Sequence, residues 1–245
     1  MSDKPAYVKP PKNALNHPKL RLQAPNPNVK GKYASLSWDV YSNNPRIVVS
    51  TNDPAMSDNR DKNFGRITAA MTTPGFYVFL DNLKTAIESE GPVRPKMENY
   101  TVPKNSPFGS PPVLANDTYV GKDQEGCVFI TVVNKEQEGW PIIKFVFGPV
   151  DNRFEKHYRT DGTELTKADY SIAYAKAYLK LLEQMMAAVL VKHYVEPPPY
   201  VPKNGQAGGY GAGRGNGGGG GGYNNQRAAA PAPAAADDYS DDLNF

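Results

Sequence analysis

The segment YASLSWDVY, residues 33–41, alternates apolar residues with polar or aromatic ones. Every second residue from Ala34 to Val40 is apolar, and this period of two predicts a half-buried strand. The opposite phase begins at Tyr33 and ends at Tyr41, so both tyrosines are expected to point outward. A turn signal follows at Asn43-Asn-Pro45, and the β-branched run after it predicts a second strand over Arg46–Thr51. The two segments favour a sheet built from consecutive antiparallel strands.

Three more strands are predicted further along the chain. Alternating or β-branched residues indicate strands over Phe64–Met71, Cys127–Val133 and Trp140–Phe147, with the last two paired as a hairpin. Six prolines between residues 92 and 116 predict a long irregular insertion. Trp38 lies on the core phase of its strand, whereas Trp140 lies beside a turn and is left open between core and surface.

Two helices are predicted from their end signals. Thr73-Pro74 indicates a start, with Thr as N-cap and Pro at the first helical position, and Gly91-Pro92 indicates the end. The second helix is predicted from Thr166 to about Tyr194, because Thr166 and Asp169 have the spacing of a capping box. This helix is the longest element expected in the chain.

These elements predict a mainly β protein with helices. Strands that follow one another directly, without a strand–helix–strand rhythm, favour a five-stranded OB-type β-barrel with long loop insertions and a long C-terminal helix. Four segments are expected: a basic extended N-terminal arm (1–31), an OB-fold domain (32–196), a disordered Pro/Gly/Ala-rich linker (197–236) and an acidic tip (237–245). The linker carries too few aliphatic residues to offset the entropy of ordering.

Composition narrows the classes of protein that the chain can belong to. The single cysteine, Cys127, excludes an intramolecular disulfide and a multi-thiolate metal site, and it fits a reducing compartment. No apolar run approaches the roughly 18 residues of a membrane span. Charged residues near Met1 are not followed by a hydrophobic stretch, so no secretory signal is expected. We therefore expect a soluble intracellular protein with no membrane partner.

Signatures of enzymes are missing from the sequence. It contains neither a phosphate-binding P-loop motif nor a G-x-S-x-G nucleophile elbow, and its glycine tract lacks the context of a dinucleotide fingerprint. The three histidines, His17, His157 and His193, lie far apart in sequence. We expect no catalytic residue, no cofactor and no metal.

Charge is distributed unevenly along the chain. The net charge is +3, but residues 237–245 contribute four Asp and no Lys or Arg, so the remainder carries +7. Residues 1–32 alone hold seven Lys and Arg against one Asp. A basic front and an acidic end suggest a polyanionic partner and a tail that imitates it.

The outward phases of the predicted strands carry aromatic and basic side chains. Unpaired bases stack on aromatic rings without a demand for sequence, and Lys and Arg neutralise phosphates. The outward set on the strands is Tyr33, Tyr41, Arg46, Phe64, Arg66, Phe129 and Lys144. A loop repeats this combination at Arg153, Lys156, Tyr158 and Arg159, and we expect it to close over a bound strand. Packing beneath a helix stays open as the alternative for Phe129 and Tyr41.

The C-terminal part resembles that of bacterial and bacteriophage single-stranded-DNA-binding proteins. Twelve glycines between residues 205 and 222 precede clustered aspartates and a final aromatic residue. The matching residues are Asp237, Asp238, Asp241, Asp242, Leu243 and Phe245. The sequence departs from the bacterial pattern at Asn244, where proline is usual. The resemblance implies an OB-fold core and a tip that recruits replication and repair proteins (polymerase, helicase or primase) and competes with DNA.

The predicted function is therefore sequence-tolerant binding of single-stranded DNA. Such a protein coats and protects single strands during phage DNA replication, recombination and repair. A glycine-rich RNA-binding protein is the alternative, since residues 209–215 read GYGAGRG, although an RNA-recognition-motif consensus is missing. A scaffold or virion component, in which the basic and aromatic residues are incidental, is the third possibility.

Overall fold

The structure is a computed structural model that describes residues 15, 20–56, 65–103, 106–107, 110–148 and 156–196 of the 245-residue chain. Contacts divide the chain into two units, Met1–Val195 and Glu196–Phe245, and the elements below belong to the first. Three sets of expected functional residues lie outside the described residues: Phe64, Arg153 and the tip 237–245.

The described residues form two antiparallel four-stranded sheets and two α-helices. Sheet 1 contains β1 (Leu22–Pro25), β2 (Tyr33–Tyr41), β3 (Asn44–Ser50) and β4 (Arg66–Ala70), in that order. Sheet 2 contains β5 (Lys96–Thr101), β6 (Val113–Lys122), β7 (Val128–Asn134) and β8 (Lys144–Val146), in that order. Helix α1 (Thr73–Glu88) connects the sheets, and α2 (Lys167–Lys192) follows sheet 2.

This architecture confirms a mainly β protein with helices, but a closed five-stranded barrel is not confirmed. Among the described strands, no backbone ladder joins the edges of the two sheets. Strands β5 and β6 lie within the segment 92–116 and beyond it, where an irregular insertion was predicted, and that prediction is wrong for them. The prolines of this segment flank the two strands instead of interrupting them, so both ladders keep their N–H donors. Strand β1 lies within residues 1–31, which were expected as an extended arm, and pairs with the start of β2.

A two-residue turn fixes the register of the first hairpin. Ser42 and Asn43 both have positive φ, 48° and 63°, which defines a turn whose twist matches that of the flanking strands. Trp38 is thereby placed opposite Ile47, with both side chains in the core. The predicted alternation of β2 is confirmed, and so is the core position of Trp38.

The core lies between the sheets and beneath the helices. Trp38 meets Phe76 and Phe79 of α1 edge to face, with ring centres 5.4 and 5.1 Å apart. Helix α2 packs through Tyr178, whose ring centre is 5.2 Å from that of Phe147. One aromatic cluster therefore joins sheet 1, both helices and the chain beyond β8.

Side-chain amides connect the two sheets where a backbone ladder does not. Asn99 Nδ2 donates to the carbonyl of Ala70 at 2.8 Å, and Asn116 Nδ2 donates to the carbonyl of Thr68 at 3.1 Å. Both carbonyls belong to β4, whereas the asparagines belong to β5 and β6. Strand β4 thus obtains hydrogen bonds from sheet 2 without joining its backbone ladder.

The helix ends follow local signals. At α2 the predicted capping box is confirmed, since the Thr166 hydroxyl accepts from the Asp169 N–H and the Asp169 carboxylate accepts from the Thr166 N–H. At α1 the N-cap is Thr72, one residue before the predicted Thr73. The buried Lys122 ammonium donates to the carbonyls of Ile87 and Ser89 at the end of α1, which stabilises that end of the helix.

Candidate nucleic-acid interface

The outer face of sheet 1 is the surface on which the outward residues of β2, β3 and β4 lie side by side. Its centre carries small side chains: Ser37 pairs with Val48, which pairs with Thr68. Larger side chains lie towards the two ends. Because β2 spans nine residues, Tyr33 and Tyr41 stand roughly 27 Å apart along the strand. The face is a shallow strip with an aromatic residue at each end.

The first end is formed by Tyr41, Arg46 and Asp39. The guanidinium carbon of Arg46 lies 4.6 Å from the centre of the Tyr41 ring, and its Nη2 bonds the Asp39 carboxylate at 3.1 Å. Tyr41 nevertheless remains 66% exposed. The Nε of Arg46 has no hydrogen-bond partner among the described residues. That Nε is buried, so what this end offers a ligand is the exposed Tyr41 ring with a fixed cation beside it, which suits stacking of a base.

The second end is formed by Tyr33 and Arg66, on different strands. Tyr33 is 57% exposed, and its carbonyl accepts a hydrogen bond from Asn52 Nδ2 at 2.5 Å. Arg66 is exposed beside Ser50. Gly65 precedes it with φ of 77°, and a Cβ at Gly65 would lie 2.4 Å from the Thr51 hydroxyl, so the chain enters β4 through a position that only glycine fits. The structure therefore brings four predicted residues, Tyr33, Tyr41, Arg46 and Arg66, onto one face.

Phe129 does not provide a stacking surface, and its predicted outward exposure is wrong. It does lie on the phase opposite Val128 and Ile130, yet it is only 3% exposed. The Lys144 ammonium lies 4.9 Å from the ring centre, and the ring fills the space at Gly121, where a Cβ would approach it to 2.9 Å. Alternation gave the phase of this side chain, but a neighbouring side chain covers it.

Lys144 also differs from its expected role as a projecting cation. Its side chain is 15% exposed, and its ammonium bonds Asp123 at 2.6 Å. Burial alone would raise the pKa of Asp123, but hydrogen bonds from Lys144 and from the Cys127 N–H lower it overall. Lys144 and Phe129 belong to sheet 2, so they are not part of the outer face of sheet 1.

The described part of the predicted basic loop precedes α2, and its cations Lys156 and Arg159 form ion pairs. Lys156 pairs with Glu164 at 3.4 Å, and Arg159 pairs with Asp169 of α2. Tyr158 is exposed and forms an isolated bridge with Glu164. Helix α2 is 26 residues long, so the loop lies roughly 39 Å along the helix from its C-terminal end. Hydrogen bonds between Asn43 and Val195 hold the Tyr41 end of the outer face next to that C-terminal end of α2. The structure therefore does not bring the loop and Tyr41 together.

The C-terminal end of α2 adds residues that the sequence analysis did not select. Asn43 Nδ2 donates to the Val195 carbonyl at 2.7 Å, and the Val195 N–H donates to Asn43 Oδ1 at 2.8 Å. This contact places Tyr194, 63% exposed, near the Tyr41 end of the face. Nothing in the local sequence signals a contact between residues 152 positions apart.

Two remaining positions fit packing better than binding or metal chemistry. Trp140, left open by the sequence, is half-buried and donates through Nε1 to Gln137 Oε1 at 3.0 Å.

Asp123, Glu125 and Cys127 hold potential ligand atoms within 4.8 Å of one another. However, Lys144 and Lys167 neutralise the two carboxylates, and burial raises the pKa of the Cys127 thiol, which disfavours the thiolate that a metal needs.

Comparison of the chain with protein families, curated proteins and solved structures found no match. In the part of the chain that the structure describes, neither helix combines the length and the apolar character that crossing a bilayer requires.

Proposed function

We propose that this protein binds single-stranded DNA with little sequence preference, through the outer face of sheet 1. The observation that carries the proposal is the Arg46 guanidinium over the exposed Tyr41 ring, opposite a second aromatic and basic end at Tyr33 and Arg66. The protein would coat and protect single strands during DNA replication, recombination and repair in a bacteriophage or a bacterium, without enzymatic activity of its own. It would act in the cytoplasm of the bacterium or infected host.

The shape of the face favours single-stranded over double-stranded nucleic acid. Bases in a duplex hide their flat surfaces, so stacking on tyrosine requires unpaired bases. The middle of the strip carries only small side chains, the buried Ser37 and the half-buried Val48 and Thr68, so a strand stacked on both tyrosines would pass over them without meeting a large side chain there. Arg46 and Arg66 supply positive charge at positions where phosphates would pass.

The two described four-stranded sheets approach each other along both sides without a shared backbone ladder. Strands β1 and β8, at the edges of the two sheets, lie against each other, and α1 packs on β6. At the other side, Asn99 and Asn116 reach across to β4. The outer face of sheet 1 is proposed as the site because it carries the exposed Tyr33, Tyr41 and Arg66.

The C-terminal segment supports a second part of the proposal. The tip 237–245 would recruit replication or repair proteins such as a polymerase, helicase or primase, and would compete with DNA for the basic face. A glycine-rich coil as long as segment 197–236 would have a root-mean-square span of roughly 35 Å. Val195, held by Asn43, sets the start of this tether near the Tyr41 end. Such a tether gives four aspartates a high effective concentration at the face.

Fluorescence anisotropy with a labelled oligothymidylate tests the proposed function. We expect binding at 50 mM salt that weakens steeply as salt increases, little binding to a duplex of the same length, and weaker binding to the matching RNA. A Tyr33→Ala/Tyr41→Ala variant should bind much more weakly, whereas Tyr100→Ala, which removes an exposed tyrosine of sheet 2, should match the parent.

Two results would count against the proposal. Absence of binding at 50 mM salt would reject it and favour a scaffold or virion component. Tighter binding of RNA than of DNA of one sequence would favour the glycine-rich RNA-binding alternative.

A further inference from the structure

The hairpin between β2 and β3 forms a fixed anchor for the chain that follows α2. The Asn43 side-chain amide forms two hydrogen bonds with the backbone of Val195, one to its carbonyl and one from its N–H. A neighbouring β-strand would satisfy the same two backbone groups. The carbonyl of Asn43 also accepts from the Thr73 hydroxyl at 3.4 Å. Asn43 thus fixes the chain at residue 195 to the tip of sheet 1.

This anchor determines where Tyr194 lies. Helix α2 ends at Lys192, and the His193 N–H donates to the Val189 carbonyl at 2.9 Å, which closes the last turn. Tyr194 directly precedes the anchored Val195, and Tyr41 lies two residues before Asn43. Measured along the backbone, the Cα atom of each tyrosine therefore lies within roughly 7 Å of a residue that forms the Asn43–Val195 contact.

The side chain of Tyr194 is mostly not packed against other described residues. Its side chain is 63% exposed, and the neighbouring Val191 and Val195 are exposed as well. The charged residues close to Tyr194 in the chain are the exposed Lys192 and Glu196, and the Asn43–Val195 contact joins this end of the chain to the hairpin that carries Arg46 and Asp39. Like the Tyr41 end, this end therefore carries an exposed tyrosine and basic residues.

We propose that Tyr194 is an additional base-stacking residue, so that the single-strand path continues from Tyr41 across the hairpin tip onto the end of α2. Asn43 is then a positioning residue that holds Tyr194 in line with the face. This inference rests on the proposed function and deepens it, since it gives the strand a direction beyond sheet 1. The occupant of this end is a DNA base.

Tyr194→Ala tests the inference by anisotropy on oligothymidylates of increasing length. We expect binding of long oligonucleotides to weaken about 5- to 150-fold, the range expected for the loss of one stacked base. Oligonucleotides too short to reach beyond Tyr41 should be less affected. The salt dependence should stay that of the parent, because no phosphate contact is removed. Tyr194→Phe keeps the ring and should retain binding.

Asn43→Ala separates positioning from stacking. It keeps the Tyr194 side chain but releases Val195, so we expect a smaller loss of affinity than for Tyr194→Ala, and the double variant should lose no more affinity than Tyr194→Ala alone. Tyr100→Ala serves as the matched control, because it removes an equally exposed tyrosine from sheet 2. Circular dichroism and the melting temperature should show that the variants stay folded.

Photo-crosslinking gives a readout that does not depend on a substitution. A strand containing 5-iodouracil should crosslink the parent protein at Tyr194, identified by mass spectrometry of the peptide 193–203. Parent-like affinity of Tyr194→Ala, together with no crosslink at Tyr194, would overturn the inference even if the Tyr33→Ala/Tyr41→Ala variant binds weakly. Failure of the parent protein to bind single-stranded DNA would instead reject the proposed function itself.

Discussion

The guanidinium carbon of Arg46 lies 4.6 Å from the centre of the Tyr41 ring, on adjacent strands of one exposed face. The contact holds a cation and a stacking surface together before any ligand is present. Asp39 completes the arrangement by bonding the same guanidinium at 3.1 Å. A bound strand would meet a preformed site at this end, so little side-chain ordering would be needed on binding.

Replacement of Arg46 should change the salt dependence of binding. Arg46→Ala removes one phosphate-binding cation, so the slope of log affinity against log salt should fall by about 0.7 for a single strand. Titrations at several salt concentrations measure that slope. Arg94→Ala is a matched control, since Arg94 lies over the Tyr119 ring at 5.3 Å on the other sheet. An unchanged slope in Arg46→Ala would show that Arg46 does not contact a phosphate of the bound strand.

Deletion of residues 237–245 should tighten DNA binding at low salt. The deleted segment holds four aspartates, so the remaining chain changes from a net charge of +3 to +7. The gain should shrink as salt increases, because screening weakens the competition between tail and DNA. Affinity measured at 50 and 300 mM salt checks this. Identical affinities for both chains at low salt would contradict the idea of competition.

Asn116→Leu should destabilise the fold. The substitution removes the Nδ2–H that bonds the Thr68 carbonyl and leaves that acceptor of β4 without this partner. Loss of a partner for a shielded backbone group costs about 1–3 kcal/mol. Urea unfolding measures the change in the free energy of unfolding. Ser35→Ala, on the outer face, is the control and should stay within about 0.5 kcal/mol of the parent.

The Asp123–Lys144 pair should make stability dependent on pH in the acid range. The folded pKa of Asp123 lies below its ordinary value of 3.8, because hydrogen bonds from Lys144 and Cys127 outweigh burial. Its contribution is therefore fully present above about pH 4 and is lost as pH falls through the lowered folded pKa. Asp123→Asn should cost about 3 kcal/mol at pH 7, since Lys144 loses its buried partner.

The control for this effect is how the difference in the free energy of unfolding between the parent and Asp123→Asn changes with pH. Urea unfolding at pH 7, 5, 4 and 3 should show the stabilities of parent and Asp123→Asn converging as the pH decreases. Other carboxylates titrate in both proteins and cancel in the difference. A difference that stays constant down to pH 3 would show that the ion pair does not contribute in this way.

Local patterns predicted the elements whose signals lie within a few residues. The alternation over residues 33–41 located β2 and the core position of Trp38, and the Thr166 and Asp169 spacing located the start of α2. Strands β5 and β6 escaped prediction because prolines crowd the segment around them, although none interrupts either strand.

The sequence by itself determined which side chains of β2, β3 and β4 point away from the core, because a strand alternates its faces regardless of its neighbours. It also determined the charge contrast between the chain and its acidic end. Only the tertiary structure decided which outward residues stay accessible: Tyr41 remains exposed, whereas Phe129 is covered by Lys144. It alone joined Asn43 to Val195. Burial and long-range contact depend on side chains that other elements bring near, and no local pattern encodes them.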